Sequence, residues 1–129
     1  MIDSGSTSTV RVLKFGGSSL ATPASIRHVG RILLDERRQE PVIAVVSAFQ
    51  GVTNQLLECA RLAERGESNY EETFEQIARR HRSAVARLVR TRRVRVRAQV
   101  EALLSELRGT LQGIQIGRAS CRERVYVLV

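Results

Sequence analysis

The chain opens with the pattern of a strand, a glycine turn and a helix. Val10–Phe15 is a short apolar and β-branched run that stops at Gly16-Gly17, which is typical of a buried strand ending in a tight turn. Thr22 then precedes Pro23, as an N-cap precedes the first helical residue. Apolar residues recur at helical spacing over residues 26–33, so this segment is predicted to be a helix.

A second strand follows this helix. Val42–Val46 is a nearly uninterrupted apolar run, which is more typical of a parallel strand covered on both faces than of an edge strand. Strand, helix and strand in this order predict a right-handed βαβ crossover. The fold class is therefore expected to be α/β.

Beyond Gly51 the pattern becomes helical. One helix is predicted to end at Gly66 and to carry along one face Val52, Leu56, Ala60 and Ala63. Ser68 and Glu71 have the spacing of a capping box for the next helix. Two further helices are indicated by apolar positions at steps of three or four: Phe74, Ile77, His81, Val85 and Leu88 in the first, and Val100, Leu103, Leu104, Leu107 and Leu111 in the second.

The composition of the 129 residues, 43% hydrophobic, suits one globular domain or a piece of a larger one. No apolar run approaches the roughly 20 residues of a membrane span, and the N-terminus lacks the features of a secretory signal. We therefore expect a cytoplasmic protein without a membrane partner. Two cysteines and two histidines, with no CxxC pair, give no metal site.

The net charge of +8 is concentrated in one part of the chain. Arg79–Arg97 contains nine arginines and no acidic residue, so a nucleic-acid-binding module is one alternative function. Aromatic residues make up only 4% of the chain and none is interleaved with these arginines, which disfavours stacking on nucleic acid. A solvated helix surface accounts for the same arginines.

The two ends of the chain are interpreted separately from the rest. Residues 1–9 are rich in Ser and Thr and are predicted to be a flexible N-terminus. Ile116–Val125 resembles the in-frame translation of a short-read sequencing adapter, so residues 116–129 are interpreted as a non-native tail, a genuine polar tail being the alternative. Residues 10–115 are therefore interpreted as the folded, native part of the chain.

The first candidate site is Lys14-Phe-Gly-Gly-Ser-Ser19, at the end of the first strand. Glycines allow a backbone to approach an anion closely, and the cation before them can neutralise phosphate oxygens. Lys14 is the single lysine of a chain that otherwise uses arginine. The pattern therefore indicates a phosphate-binding turn, although a glycine turn in a structural domain without a ligand is an alternative.

The second candidate site is Val45-Val-Ser-Ala-Phe-Gln-Gly-Val-Thr-Asn54. It leaves the carboxyl end of the second strand, where open α/β sheets bind their ligands. Ser47, Thr53 and Asn54 could bind a ligand there, or could serve as turn and cap residues.

Together, Val12-Leu-Lys-Phe-Gly-Gly-Ser-Ser-Leu20 and the segment from Val45 to Asn54 resemble the opening of the aspartokinases, a branch of the amino acid kinase family. The resemblance extends over about residues 10–115. It implies the N-terminal part of a three-layer α/β/α kinase domain with a mainly parallel sheet, here truncated. It also implies transfer of the γ-phosphoryl group of ATP to the β-carboxylate of L-aspartate, with Mg²⁺, giving 4-phospho-L-aspartate on the route to lysine, threonine and methionine.

The resemblance also assigns roles to individual residues. Lys14 matches the phosphate-contacting catalytic lysine, and Phe15, Gly16 and Gly17 complete the nucleotide-phosphate loop. Ser47 matches a serine that lines the active site, and Thr53 matches the threonine that contacts aspartate. No metal ligand is assigned to the chain.

The family's acidic aspartate-binding position, its later nucleotide-binding segments and its regulatory domains have no counterpart here. The resemblance thus implies a fragment, inactive alone, of a homo-oligomeric enzyme, either monofunctional or fused to homoserine dehydrogenase.

Overall fold

The computed structural model describes residues 9–117, which form two compact units, residues 9–50 and residues 51–117. Nearly all of the predicted flexible N-terminus, and residues 118–129 of the adapter-like tail, lie outside the described residues. The first unit contains β1 (Arg11–Phe15), a 3₁₀ turn (Gly17–Leu20), α1 (Pro23–Arg37) and β2 (Val42–Val46). The second contains α2 (Val52–Glu64), α3 (Tyr70–Leu88) and α4 (Arg93–Ile116).

The first unit is a two-stranded parallel sheet with its crossover helix. β1 pairs with β2 in a register that places Arg11 beside Val42 and Phe15 beside Val46. α1 connects the two strands, packs against β2 and buries Val29. The predicted α/β class with a parallel sheet is confirmed.

The start of α1 is fixed by side-chain hydrogen bonds, as the Thr22-Pro23 pair predicted. The Oγ1 atom of Thr22 accepts a hydrogen bond from the backbone N–H of Ser25 at 3.1 Å, and the Oγ of Ser25 accepts one from the N–H of Thr22 at 2.9 Å. This reciprocal pair satisfies backbone donors that have no partner within the helix. A capping box therefore begins α1.

β2 is not covered on both faces within the part of the chain that the structure describes. Ile43 is 53% exposed, Val45 is 44% exposed and Val46 is 60% exposed. The prediction of a strand buried on both faces is thus wrong for these residues, because a sheet of two strands has only edge strands and α1 is the one helix of its unit.

The second unit is a three-helix arrangement around an apolar core. The largest fully buried side chains are those of Tyr70, Leu111 and Cys59. The Cys59 thiol donates a hydrogen bond of 3.6 Å to the backbone oxygen of Tyr70. Burial raises the pKa of Cys59 to about 11, so the thiol is protonated at neutral pH and packs as a small hydrophobic group.

The connection from α2 to α3 confirms one prediction and corrects another. Gly66 adopts a left-handed conformation, and the N–H groups of Gly66 and Glu67 bond back to the last turn of α2. The predicted capping box of Ser68 and Glu71 is wrong. α3 begins at Tyr70 without a side-chain cap, and Glu71 bonds through its backbone N–H to the backbone oxygen of Ser68.

α4 begins inside the arginine-rich segment, at Arg93, and buries a narrower stripe than its leucines predicted. Leu104, Leu111 and Ile114 are buried. Leu103 is 66% exposed, because it lies about 100° around the helix from Leu104 and away from the buried stripe.

Within residues 9–117, no helix is both long enough and apolar enough to span a bilayer.

Candidate functional site

The first part of the site lies at the carboxyl edge of the sheet. β1 and β2 are parallel and end in register, with Phe15 beside Val46. The backbone N–H of Ser47 donates a hydrogen bond of 3.1 Å to the oxygen of Phe15, which continues the pairing beyond the strand ends. The structure therefore brings Lys14, the Gly16-Gly17 turn and Ser47 to one edge of one sheet.

The two glycines of the turn have different surroundings. A Cβ atom on Gly16 would have no neighbour within 4 Å, so this side of the turn faces open space. A Cβ on Gly17 would lie 3.5 Å from the Cα of Gln50 and 3.7 Å from the oxygen of Ala48. Gly17 thus packs against the loop that follows Ser47, and Gly16 leaves backbone accessible to a ligand.

Lys14 lies one residue before the end of β1 and is paired with Val45 of β2. Its side chain is exposed, on the face of the sheet that also carries Val12 and Ile43. A charged ammonium at the end of this apolar face is adjacent to the glycine turn.

Thr53 belongs to the second unit and lies in the first turn of α2. Gly51 precedes the helix with a φ of 84°, a conformation that suits glycine. Thr53 and Asn54 are both exposed, so their side chains are available for a ligand at this helix end. Ser47 and Thr53 are thus both accessible, each in its own unit.

The residues at the sheet edge fit a phosphate chain better than they fit a metal ion. Gly16 provides open space beside exposed backbone, and Lys14 provides a positive charge. Among residues 9–117, no group of three or more His, Cys, Asp or Glu side chains is placed to hold a metal ion.

The structure adds a support for β1 that the sequence reasoning missed. Arg11 forms ion pairs with both Glu36 and Glu40, and Thr9 donates a hydrogen bond of 3.1 Å to Glu40. These contacts join the start of β1 to the end of α1 and the segment that follows it. Glu36 lies in the last turn of α1 and Glu40 lies beyond the helix, so helical spacing does not predict that both carboxylates meet Arg11.

Comparison with known proteins decides the family. The sequence model of the amino acid kinase family matches residues 9–116, which is most of the chain. The chain belongs to the amino acid kinase family. It is also similar to an aspartokinase of Chlamydia trachomatis serovar D, with 51% identity over 51 residues that span 40% of this chain and 11% of that protein.

Membership of the amino acid kinase family argues against the two alternative functions. The match includes the glycine turn, the loop after β2 and the arginine-rich segment. Neither a nucleic-acid-binding module nor a structural domain without a ligand is favoured for a chain of this family.

Proposed function

We propose that this chain is part of an aspartate kinase, which transfers the γ-phosphoryl group of ATP to the β-carboxylate of L-aspartate and forms 4-phospho-L-aspartate. In this proposal the enzyme is a cytoplasmic homo-oligomer that opens the route to lysine, threonine and methionine. The observation that carries the proposal is the contact of Gly17 with the Ala48–Gln50 loop, beside the open Gly16 and the cationic Lys14. This arrangement would hold the phosphate donor next to the loop that leads to the acceptor.

The phosphate side of the proposal assigns four residues. The backbone at Gly16 and Gly17 would cradle the phosphates of ATP, with Phe15 completing the loop. The Nζ atom of Lys14 would neutralise charge on the transferring phosphoryl group. Mg²⁺, bound to the phosphates of ATP, would supply the remaining charge neutralisation.

The acceptor side assigns Ser47 and Thr53. An aspartate β-carboxylate is ionised at neutral pH, so it can attack phosphorus without a general base. The work of the protein is then to bring two anions together and to hold them in line. Thr53 would hydrogen-bond aspartate, and Ser47 would line the site at the end of β2.

The proposal places the rest of the active site in further sequence of a longer protein. The aspartokinase that it resembles is matched over only 11% of its own length. An acidic group that binds the amino group of aspartate, and most of the nucleotide pocket, would come from that sequence. The genomic DNA that follows the Gln115 codon is the place to find it.

Kinetics of two variants in that longer protein test the residue roles. Lys14→Ala should lower kcat/KM by about 10²-fold to 10³-fold, because a preorganised charge at the transferring group is lost. Thr53→Val should raise the KM for aspartate more than the KM for ATP, because a polar group of aspartate loses its partner.

Two exposed or half-exposed positions provide matched controls. Arg31→Ala removes a cation from the surface of α1, and Thr73→Val removes a threonine hydroxyl from α3. Both should leave the kinetic constants within about twofold of the parent. Near-parental turnover of Lys14→Ala, or an effect of Thr53→Val confined to ATP, would refute the assigned roles.

A further inference from the structure

The start of α4 carries a dense positive charge. Residues 90–97, here named the basic corner, contain five arginines in eight positions and no acidic residue. All five are exposed, namely Arg90, Arg92, Arg93, Arg95 and Arg97. The corner includes the last residues before α4 and its first turn, so its charges add to the positive end of the helix dipole.

Few carboxylates of the chain compensate this charge. The first turn of α4 contains no acidic residue. Arg90, Arg92 and Arg95 form no ion pair with any carboxylate in residues 9–117. Glu101, the nearest acidic residue along α4, accepts two hydrogen bonds from Arg82.

The basic corner also carries one exposed apolar side chain. Val94 is 85% exposed and lies between Arg93 and Arg95. No aromatic residue occurs within the basic corner. A ligand that matches this surface would combine several carboxylates with an aliphatic side chain, whereas a polyphosphate or a nucleic-acid backbone would leave Val94 in water.

The basic corner is held in a defined shape. Arg92 adopts a left-handed conformation with a φ of 56°, which directs the chain from α3 into α4. The Nε atom of Arg93 donates a hydrogen bond of 2.7 Å to the backbone oxygen of Val89. Because the backbone is fixed on both sides, little ordering of the corner is needed when it binds a partner.

We infer that the basic corner is a docking surface for an acidic protein segment that carries an aliphatic side chain among its carboxylates. The carboxylates would pair with Arg90, Arg92 and Arg95, and the aliphatic group would cover Val94. This interaction lies outside the proposed phosphoryl transfer and does not depend on it. It would relieve the repulsion among the arginines and bury an exposed valine.

Fluorescence anisotropy with the full chain and a labelled peptide tests the inference. The probe is a short synthetic peptide of Glu, Asp and Leu, and its counterpart replaces each acid with Gln or Asn. The triple variant Arg90→Gln, Arg92→Gln and Arg95→Gln should bind the acidic peptide at least about tenfold more weakly than the parent. The uncharged counterpart should not bind.

A matched variant distinguishes an effect of the basic corner on binding from an effect of the net charge of the chain. Replacing Arg38, Arg61 and Arg65 with Gln removes the same charge from exposed arginines elsewhere, each of which has an acidic neighbour. This variant should bind within about twofold of the parent, since exposed ion pairs contribute little. Val94→Ser should weaken binding by a few fold through the lost apolar contact.

Three results would overturn the inference. They are equal loss in the two triple variants, no effect of Val94→Ser, and binding of single-stranded DNA or anionic lipid vesicles as tight as that of the peptide. Helix content of every variant is checked by circular dichroism. If the Gln variant loses helix content, a second triple variant replaces it in the test: Arg90→Lys, Arg92→Lys and Arg95→Lys. This variant should retain most of the peptide binding, because the positive charge is kept.

Discussion

At the scale of single residues, backbone conformation decides where α2 ends. The φ of Gly66 is 77°, in the left-handed region that a Cβ atom disfavours. This conformation lets the N–H of Gly66 reach the oxygen of Ala63 at 3.0 Å and the N–H of Glu67 reach the oxygen of Leu62 at 3.0 Å. The two bonds satisfy helix carbonyls that would otherwise have no partner, and they turn the chain toward α3.

Replacing this glycine should therefore destabilise the second unit. Gly66→Ala should lower the free energy of unfolding by about 1 kcal/mol, because alanine must adopt the left-handed conformation. Gly109→Ala is the matched control, since Gly109 lies inside α4 and a Cβ there would meet no atom within 4 Å. That control should stabilise by roughly 0.5–1 kcal/mol. Urea unfolding of the longer protein that contains this chain, followed by circular dichroism, measures both, and equal effects of the two substitutions would contradict the role given to Gly66.

The residues that begin or end helices differ in how well sequence alone identifies them. Gly66 and the Thr22-Pro23 pair were predicted correctly, because each has a conformational preference that few neighbours can override. Ser68 was not, because a capping box requires Ser68 at the N-cap of α3, and Asn69 occupies that position without a side-chain cap. At α3 the helix begins instead at Tyr70, whose side chain is 2% exposed and whose OH bonds Gln115 at 3.2 Å. A contact distant in sequence replaced a local one.

At the scale of elements, charged side chains join α3 to α4. Arg82 donates two hydrogen bonds to the carboxylate of Glu101, at 2.8 Å and 2.9 Å. These bonds hold the pKa of Glu101 below its ordinary value, and the charge of Arg97 acts in the same direction. Glu75 accepts hydrogen bonding from Arg108, whose guanidinium lies 4.6 Å from the centre of the Phe74 ring. Exposed ion pairs thus link α3 and α4 in addition to the apolar contacts between them.

The lowered pKa of Glu101 gives this contact a defined pH dependence. The stabilisation is complete above the ordinary pKa of a glutamate, near 4.3, and is lost as the pH falls through the lower folded value. In the longer protein that contains this chain, Glu101→Gln should reduce the urea midpoint at neutral pH, and the difference in midpoint from the parent should shrink as the pH falls below about 4. A difference that is constant across that range would show that the charge of Glu101 is not involved. Glu106→Gln, on the same helix, controls for the loss of one acidic residue.

The order and type of the elements followed from periodicity, but their burial did not. β1, α1 and β2 were predicted to within a few residues, because the apolar runs are bounded by glycine and proline. The apolar run of β2 also predicted cover on both faces, and 60% of Val46 is exposed. Burial depends on what packs against a strand, which the run itself does not encode. The same reason explains the exposed Leu103.

At the scale of the molecule, the sheet presents a bare apolar face. Val12 is 61% exposed and shares a face with Ile43 and Val45, which are also exposed. Parallel sheets are ordinarily covered on both faces, and two strands leave backbone groups unpaired at each edge. The first unit therefore has little apolar burial to offset its loss of conformational entropy.

We expect the isolated 129-residue chain to be weakly stable and inactive as a kinase. Its thermal unfolding, followed by circular dichroism, should be broad and without a cooperative transition, because a two-stranded sheet is marginal in water. Titration calorimetry should detect only weak binding of Mg-ATP, since in the proposed function Lys14 and the glycine turn provide only one part of the nucleotide pocket. A sharp transition together with tight Mg-ATP binding would contradict this expectation and would make the chain a complete small domain.

The candidate site could be predicted in part from the topology of the sheet. The crossover predicted from the sequence implies parallel strands, and parallel strands place Lys14 and Ser47 at one edge of the sheet, where they lie. The contact of Gly17 with the Ala48–Gln50 loop was not predictable, because it depends on the path of a loop. The Arg11 ion pairs were missed because one strand residue meets acidic residues more than twenty positions away.

The most direct measurement of the central claim is the formation of an acyl phosphate by the longer protein that contains this chain. The protein is incubated with Mg-ATP, hydroxylamine and one acceptor at a time: L-aspartate, L-glutamate or N-acetyl-L-glutamate. We predict a hydroxamate with aspartate, dependent on ATP and reduced by Lys14→Ala by about 10²-fold or more. A hydroxamate formed only with another acceptor, or formed with aspartate equally well by the Lys14→Ala enzyme, would contradict it.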